Sequence, residues 1–128
     1  MNSAILLIDP DLGFLFWLGQ LLDDNGYLAF PAKCVGEAIS LIDQLDLTVT
    51  LLILNCALPG AEGFVASLRE NHRHLRVISL LTDGQAPAIV GVAVDAVCRK
   101  PNRNWDSTAE WLRIVHKMLS PKLLWAIR

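Results

Sequence analysis

Leu51-Leu52-Ile53-Leu54-Asn55-Cys56-Ala57-Leu58-Pro59-Gly60-Ala61-Glu62-Gly63 is the stretch on which the fold turns. It opens as an unbroken apolar run and ends in a turn rich in proline and glycine. A run of strand length with no polar alternation, bounded by turn residues, reads as a strand buried on both faces of a parallel sheet. Asn55 follows the last apolar residue, so a polar side chain stands at the carboxyl end of a central strand. In open α/β sheets that rim is where ligands and reacting groups sit.

The rest of the chain is consistent with one domain built around that strand. At 128 residues it is close to the common domain size and long enough to bury a core. Hydrophobic residues make up 53% and charged residues 19%, which excludes a disordered chain. The net charge of −2 and the lack of a basic stripe give no pull toward nucleic acid or an anionic membrane surface. Cys34, Cys56 and Cys98 have no metal-ligand spacing. With Cys56 and Cys98 both placed in strands, they read as free thiols of a reducing cytoplasm. The amino terminus lacks the pattern of a signal peptide, and the apolar runs are too short for a membrane-spanning helix.

Taken in order, Ala4–Ile8 is a first strand, stopped by Asp9-Pro10-Asp11, with Asp11 suited to cap the next helix. That helix should run from Leu12 to Asn25 and stop at Gly26. Phe14, Trp17, Leu18, Leu21 and Leu22 form its core stripe, which leaves Leu15 and Phe16 pointing outward. Tyr27–Phe30 is a short second strand ended by Pro31. Val35–Leu45 is a helix, Thr48–Leu54 the third strand, and residues 64–71 a helix with Phe64, Val65 and Leu68 inward. Arg76–Leu81 is the fourth strand. A short or distorted helix is expected over Ala88–Val94, a fifth strand over Asp95–Arg99, and a last helix over Ser107–Leu119 with Leu112, Val115 and Leu119 on one face.

Five strands alternating with helices give a doubly wound (βα)5 parallel sheet of flavodoxin-like, three-layer α/β form. The expected strand order is 2-1-3-4-5. The ends of the first, third and fifth strands then meet at one rim, which brings Asp9, Asn55 and Lys100 together. The domain spans 1–120, and 121–128 is an apolar tail or the start of a linker.

Three pieces in this order resemble the receiver domains of two-component response regulators, the CheY-like superfamily, over most of the chain from Ala4 to Leu119. They are the acidic cluster after the first strand, the Leu58-Pro-Gly-Ala-Glu-Gly63 turn after the third, and Lys100-Pro101 after the fifth. The resemblance implies a site at which an aspartate ending the third strand takes a phosphoryl group from a phosphohistidine. Two acidic residues hold Mg²⁺ there and the lysine contacts the phosphate.

This chain departs from that pattern at most reacting positions. Asn55 holds the acceptor position, and a neutral amide is a poor nucleophile that cannot form the acyl phosphate. Asp9 matches the first acidic position, but Pro10 takes the second and offers no side-chain oxygen. Leu81 falls at the hydroxyl position ending the fourth strand, unless a one-residue shift brings in Thr82. Val97 replaces an aromatic, and Lys100 is intact. No cofactor or metal is expected, since Asp9 and the Asn55 amide oxygen are a weak oxygen set for Mg²⁺. Lys100 should then pair with Asp9 or with the Asn55 oxygen, because a buried charge needs a partner.

The resemblance thus implies an atypical receiver, or pseudo-receiver, in bacterial phosphorelay signalling. It would not be an enzyme and would act by protein–protein contact. The alternative is a receiver that is phosphorylated on Asp9 or Asp11. A flavodoxin-like small-molecule binder is weaker, since Asp9-Pro10-Asp11 would repel an anion. The implied partners are a histidine kinase, a phosphotransferase or an output domain, with a homodimer left open. Leu15 and Phe16 on the first helix, and Leu124 and Trp125 in the tail, are the apolar residues expected at such a surface. His72 and His74 sit near a helix end, where cations are favoured, rather than as a metal pair.

Overall fold

The structure, a computed structural model, describes residues 3–81, 94–100 and 108–120. The strands are β1 (Ser3–Ile8), β2 (Ala29–Ala32), β3 (Thr48–Leu54), β4 (Arg76–Leu81) and β5 (Ala96–Arg99). The helices among the described residues are α1 (Leu12–Asp24), α2 (Val35–Leu45), α3 (Ala61–Asn71) and α4 (Thr108–Leu119). All strand pairs are parallel, and the sheet order is β2-β1-β3-β4-β5. The fold is the doubly wound sheet that the alternation of apolar runs and helical stripes implies. The helix expected over 88–94 lies outside the described residues except for Val94, as do Thr82 and the 121–128 tail with Leu124 and Trp125.

The apolar runs form the sheet because both of its faces are covered. Leu6, Ile8, Leu52 and Leu54 face one side, packed with Ala38 of α2 and Phe64, Val65 and Leu68 of α3. Ile5, Leu7, Leu51 and Ile53 face the other, packed with Phe14, Leu15, Leu18 and Leu22 of α1 and Trp111 and Val115 of α4. Each fully buried leucine or isoleucine here contributes about 2 kcal/mol relative to exposure.

Several boundaries and faces differ from the sequence reading. Leu15 is buried, not outward, whereas Phe16 is 65% exposed. The inward arc of α1 is rotated toward Leu15, so Trp17 and Leu21 are only half-buried at its margin. β2 begins later than expected and runs through Pro31 rather than ending before it. It is an edge strand, where a missing N–H can face solvent without breaking a ladder.

α3 starts a turn early, at Ala61, because Gly60 takes the left-handed conformation (φ 80°) at its N-cap. Cys56 lies in the turn after β3 rather than in a strand, and Cys34 is exposed. On α4 the buried positions are Trp111 and Val115, while Leu112 and Leu119 are half-buried.

Candidate functional site

The site sits where β1, β3 and β5 end. Backbone hydrogen bonds fix the three strand ends: Asn55 N donates to Ile8 O (3.0 Å), Asp9 N to Ala32 O (3.2 Å) and Lys100 N to Leu81 O (2.8 Å). Asp9, Asn55 and Lys100 are therefore neighbours although 91 residues separate the first from the last.

Asp9 is fully buried and its carboxylate is saturated. Oδ1 accepts from Asn55 Nδ2 at 3.1 Å. Oδ2 accepts from Lys100 Nζ at 2.8 Å and from Asp11 N at 2.9 Å. The Asn55 amide is committed at both ends, because its Oδ1 accepts from Ala57 N at 3.0 Å. That orientation is chemically forced, since the Asp9 carboxylate only accepts and Ala57 N only donates. The second bond is the local turn an Asn side chain makes with the backbone two residues on.

Lys100 is held from three sides. Besides Asp9, its Nζ lies 3.5 Å from Asp11 Oδ2 and 5.1 Å from the centroid of the Phe14 ring. Its side chain is only 13% exposed. A short, largely desolvated charge-assisted bond reinforced by a ring face is among the stronger polar arrangements a protein makes. Asp11 also caps α1, with Oδ1 accepting from Phe14 N at 3.2 Å. That bond, followed by the nearby Lys100 charge, pulls the Asp11 carboxyl below its ordinary value, against the opposing effect of burial.

The structure brings Asp9, Asn55 and Lys100 together and leaves Pro10 exposed in the β1–α1 turn with no side-chain oxygen to offer. Leu81 ends β4, buried, and meets Lys100 through its backbone carbonyl. Phe14, read from sequence as core alone, also belongs to the site. Its place three residues after the capping Asp11, one turn along the helix, was the available signal. Ser79 is a further unanticipated polar residue: it is buried on β4 and its Oγ has no hydrogen-bond partner among the described residues.

The residues present do not fit Mg²⁺. Lys100 occupies the flank of Asp9 that a cation would need, the Asn55 oxygen is turned to the Ala57 amide, and Pro10 supplies nothing. No cluster of His, Cys, Asp and Glu capable of holding a metal occurs among the described residues. The arrangement is an internal lock in which Asp9, Asn55 and Lys100 each already bond to a partner within the chain.

The sheet order is that of CheY-like receiver folds. The chemotaxis response regulator CheY4 of Vibrio cholerae superposes with a TM-score of 0.71 at 17% identity, over 93% of this chain and 100% of its own. A response regulator receiver domain protein from Clostridium thermocellum gives 0.66 at 20% identity, over 95% and 98%. NtrX from Brucella abortus gives 0.73 at 17% identity over 93% of this chain, which spans only 26% of the NtrX chain. At these identities the likeness is one of fold. No protein-family model and no curated protein sequence matches the chain. No described helix is long and apolar enough to cross a membrane.

Proposed function

We propose that this chain is a receiver-like module of bacterial two-component signalling that acts by protein–protein contact, without being phosphorylated and without enzymatic turnover, in the cytoplasm. The observation that carries this reading is the double commitment of the Asn55 amide, to Asp9 and to Ala57 N, at the position where the receiver pattern places its acceptor. An amide so engaged has neither the charge nor the free lone pair that attack on phosphorus needs. Lys100, drawn into a pair with Asp9, is not free to meet a phosphoryl group. Phe16, 65% exposed on α1, supports a partner-facing role for that helix. The partner would be a histidine kinase, a phosphotransferase or a second copy of the chain. An attached output domain is a further setting, supported by NtrX, in which the matching part belongs to a longer chain.

Incubation with Mg²⁺ and acetyl phosphate, followed by intact mass measurement, tests the proposal. No added phosphoryl mass is expected. A base-labile adduct would overturn it and favour the second reading, acceptance by Asp11, whose half-exposed carboxylate is held in its ionised form. Loss of that adduct in D11N would then assign the acceptor. Asp9 is the weaker nucleophile, since it is fully buried and already accepts three hydrogen bonds.

A further inference from the structure

α2 is the least buried helix of the described fold: of its residues only Ala38 is fully inside. Its apolar residues Val35, Ile39 and Ile42 recur at helical spacing, yet Ile39 is 47% exposed. They form one wall of a groove of about 420 Å³ whose other wall is α3, through Phe64 and Leu68. The groove stays open because α3 presents Gly60 and Gly63 to it. A side chain begun at Gly63 would meet no atom within 4 Å. Each wall is an eleven-residue helix, or roughly 16 Å at 1.5 Å per residue, the length over which a partner helix sets down successive apolar anchors.

The charge of the walls selects the partner. α2 carries Asp43 and Glu37, the latter paired with Lys33 at 3.7 Å just before the helix, and α3 carries Glu62 and Glu70 against Arg69. Asp43 itself lines the groove. His72 lines it too, with Nδ1 donating to Leu68 O at 3.0 Å. The groove therefore offers an apolar floor with the Asp43 carboxylate at its edge.

We infer that the α2–α3 groove is a docking site for a basic amphipathic helix of a partner protein, with its leucine-like face on Ile39, Ile42 and Phe64 and its cations toward Asp43. This surface is separate from the Asp9–Asn55–Lys100 site and does not depend on whether that site is phosphorylated.

The probe is an amphipathic helical peptide of leucine and lysine, compared with its leucine–glutamate counterpart, titrated into the ¹⁵N-labelled chain. The lysine peptide should shift amides of α2 and α3, and the glutamate peptide should not. G63L fills the groove where the structure leaves space, and it replaces a glycine inside a helix, so the fold should hold with an unchanged or higher Tm. It should weaken the lysine peptide about tenfold or more, by displacing a buried anchor. D43N should weaken it less and flatten its salt dependence. Shifts confined to other faces, equal binding of both peptides, or unchanged affinity in a folded G63L would each overturn the inference.

Discussion

Lys100 and Asp9 hold each other in the one place where neither could be left alone. Asp9 is fully buried and Lys100 nearly so, and their 2.8 Å bond has the length of a well-formed charge-assisted pair. Removing one member of a buried pair leaves the other charged and unpaired, which costs more than the pair contributes. K100M keeps most of the unbranched side chain and discards the charge, so it should lower unfolding stability by about 3–5 kcal/mol in urea melts. D9N leaves Lys100 with only the longer, half-exposed Asp11 carboxylate as counter-charge. In a double-mutant cycle the two losses should fall short of additivity by about 1–3 kcal/mol. Additive losses would mean that Lys100 is effectively solvated and that the lock does not exist. Asp11 adds a pH signature of its own. Its folded-state carboxyl is held below the ordinary value of 3.8, chiefly by the Phe14 amide, so its cap stabilises the fold above that value. The contribution disappears as the pH falls through the lowered folded pKa. The sequence narrowed the partner of Lys100 to Asp9 or the Asn55 oxygen, because the expected strand order brings those ends to one rim; the structure selects Asp9. The engagement of Asn55 with Ala57 was not legible, because it depends on the turn geometry after β3.

α1 shows where periodicity stops being informative. From Leu12 to Leu22 the helix contains no charged residue, and Gln20 is its only polar side chain. An inward stripe can then be centred on Phe14 and Trp17 or on Leu15 and Leu18 with equal sense. The structure centres the arc between them: Phe14, Leu15, Leu18 and Leu22 are all buried and pack with Ile5, Leu7 and α4, while Trp17 is left half-buried. Leu15 and Phe16 are adjacent in sequence and opposite in surroundings, which makes them a sharp test. L15A should cost about 2–5 kcal/mol through lost burial and a cavity. F16A should stay within about 0.5 kcal/mol, as a change at an exposed site does. Similar losses at the two positions, measured by chemical denaturation, would mean that α1 is rotated from the arc described. β2 teaches a related lesson. Pro31 read as a stop because proline breaks ladders, but on an edge strand the unpaired side carries no ladder to break.

Across the whole molecule, the pattern of unbroken apolar runs alternating with helical stripes dictates two covered sheet faces, and so the layers were readable without coordinates. The grading of stability across the sheet was not, because it depends on strand length and on which strands are central. β1, β3 and β4 are long and buried, whereas β5 is a four-residue edge strand whose burial alternates between half-buried and exposed positions. Its attachment to the far side of the sheet runs through Lys100, the residue immediately after it, which reaches across to Asp9. Sub-global opening should therefore begin at β5, as expected of a short edge element with few buried contacts. Cys98 reports on that motion. Burial, with a smaller effect from Glu110, pushes its thiol up to about 11 from an ordinary 9.0, so the closed state stays protonated and inert at pH 8. With the folded pKa raised, the stability tied to this protonated thiol is fully present below pH 9 and is lost as the pH rises through about 11. Iodoacetamide at pH 8 should alkylate exposed Cys34 quickly and Cys98 only through opening of β5. K100M should speed the Cys98 reaction while the amides of β3 remain the slowest to exchange in deuterium oxide. If K100M left the Cys98 rate unchanged, or if β5 amides were protected as strongly as those of β3, the tether through Lys100 would carry no weight in holding the sheet's edge.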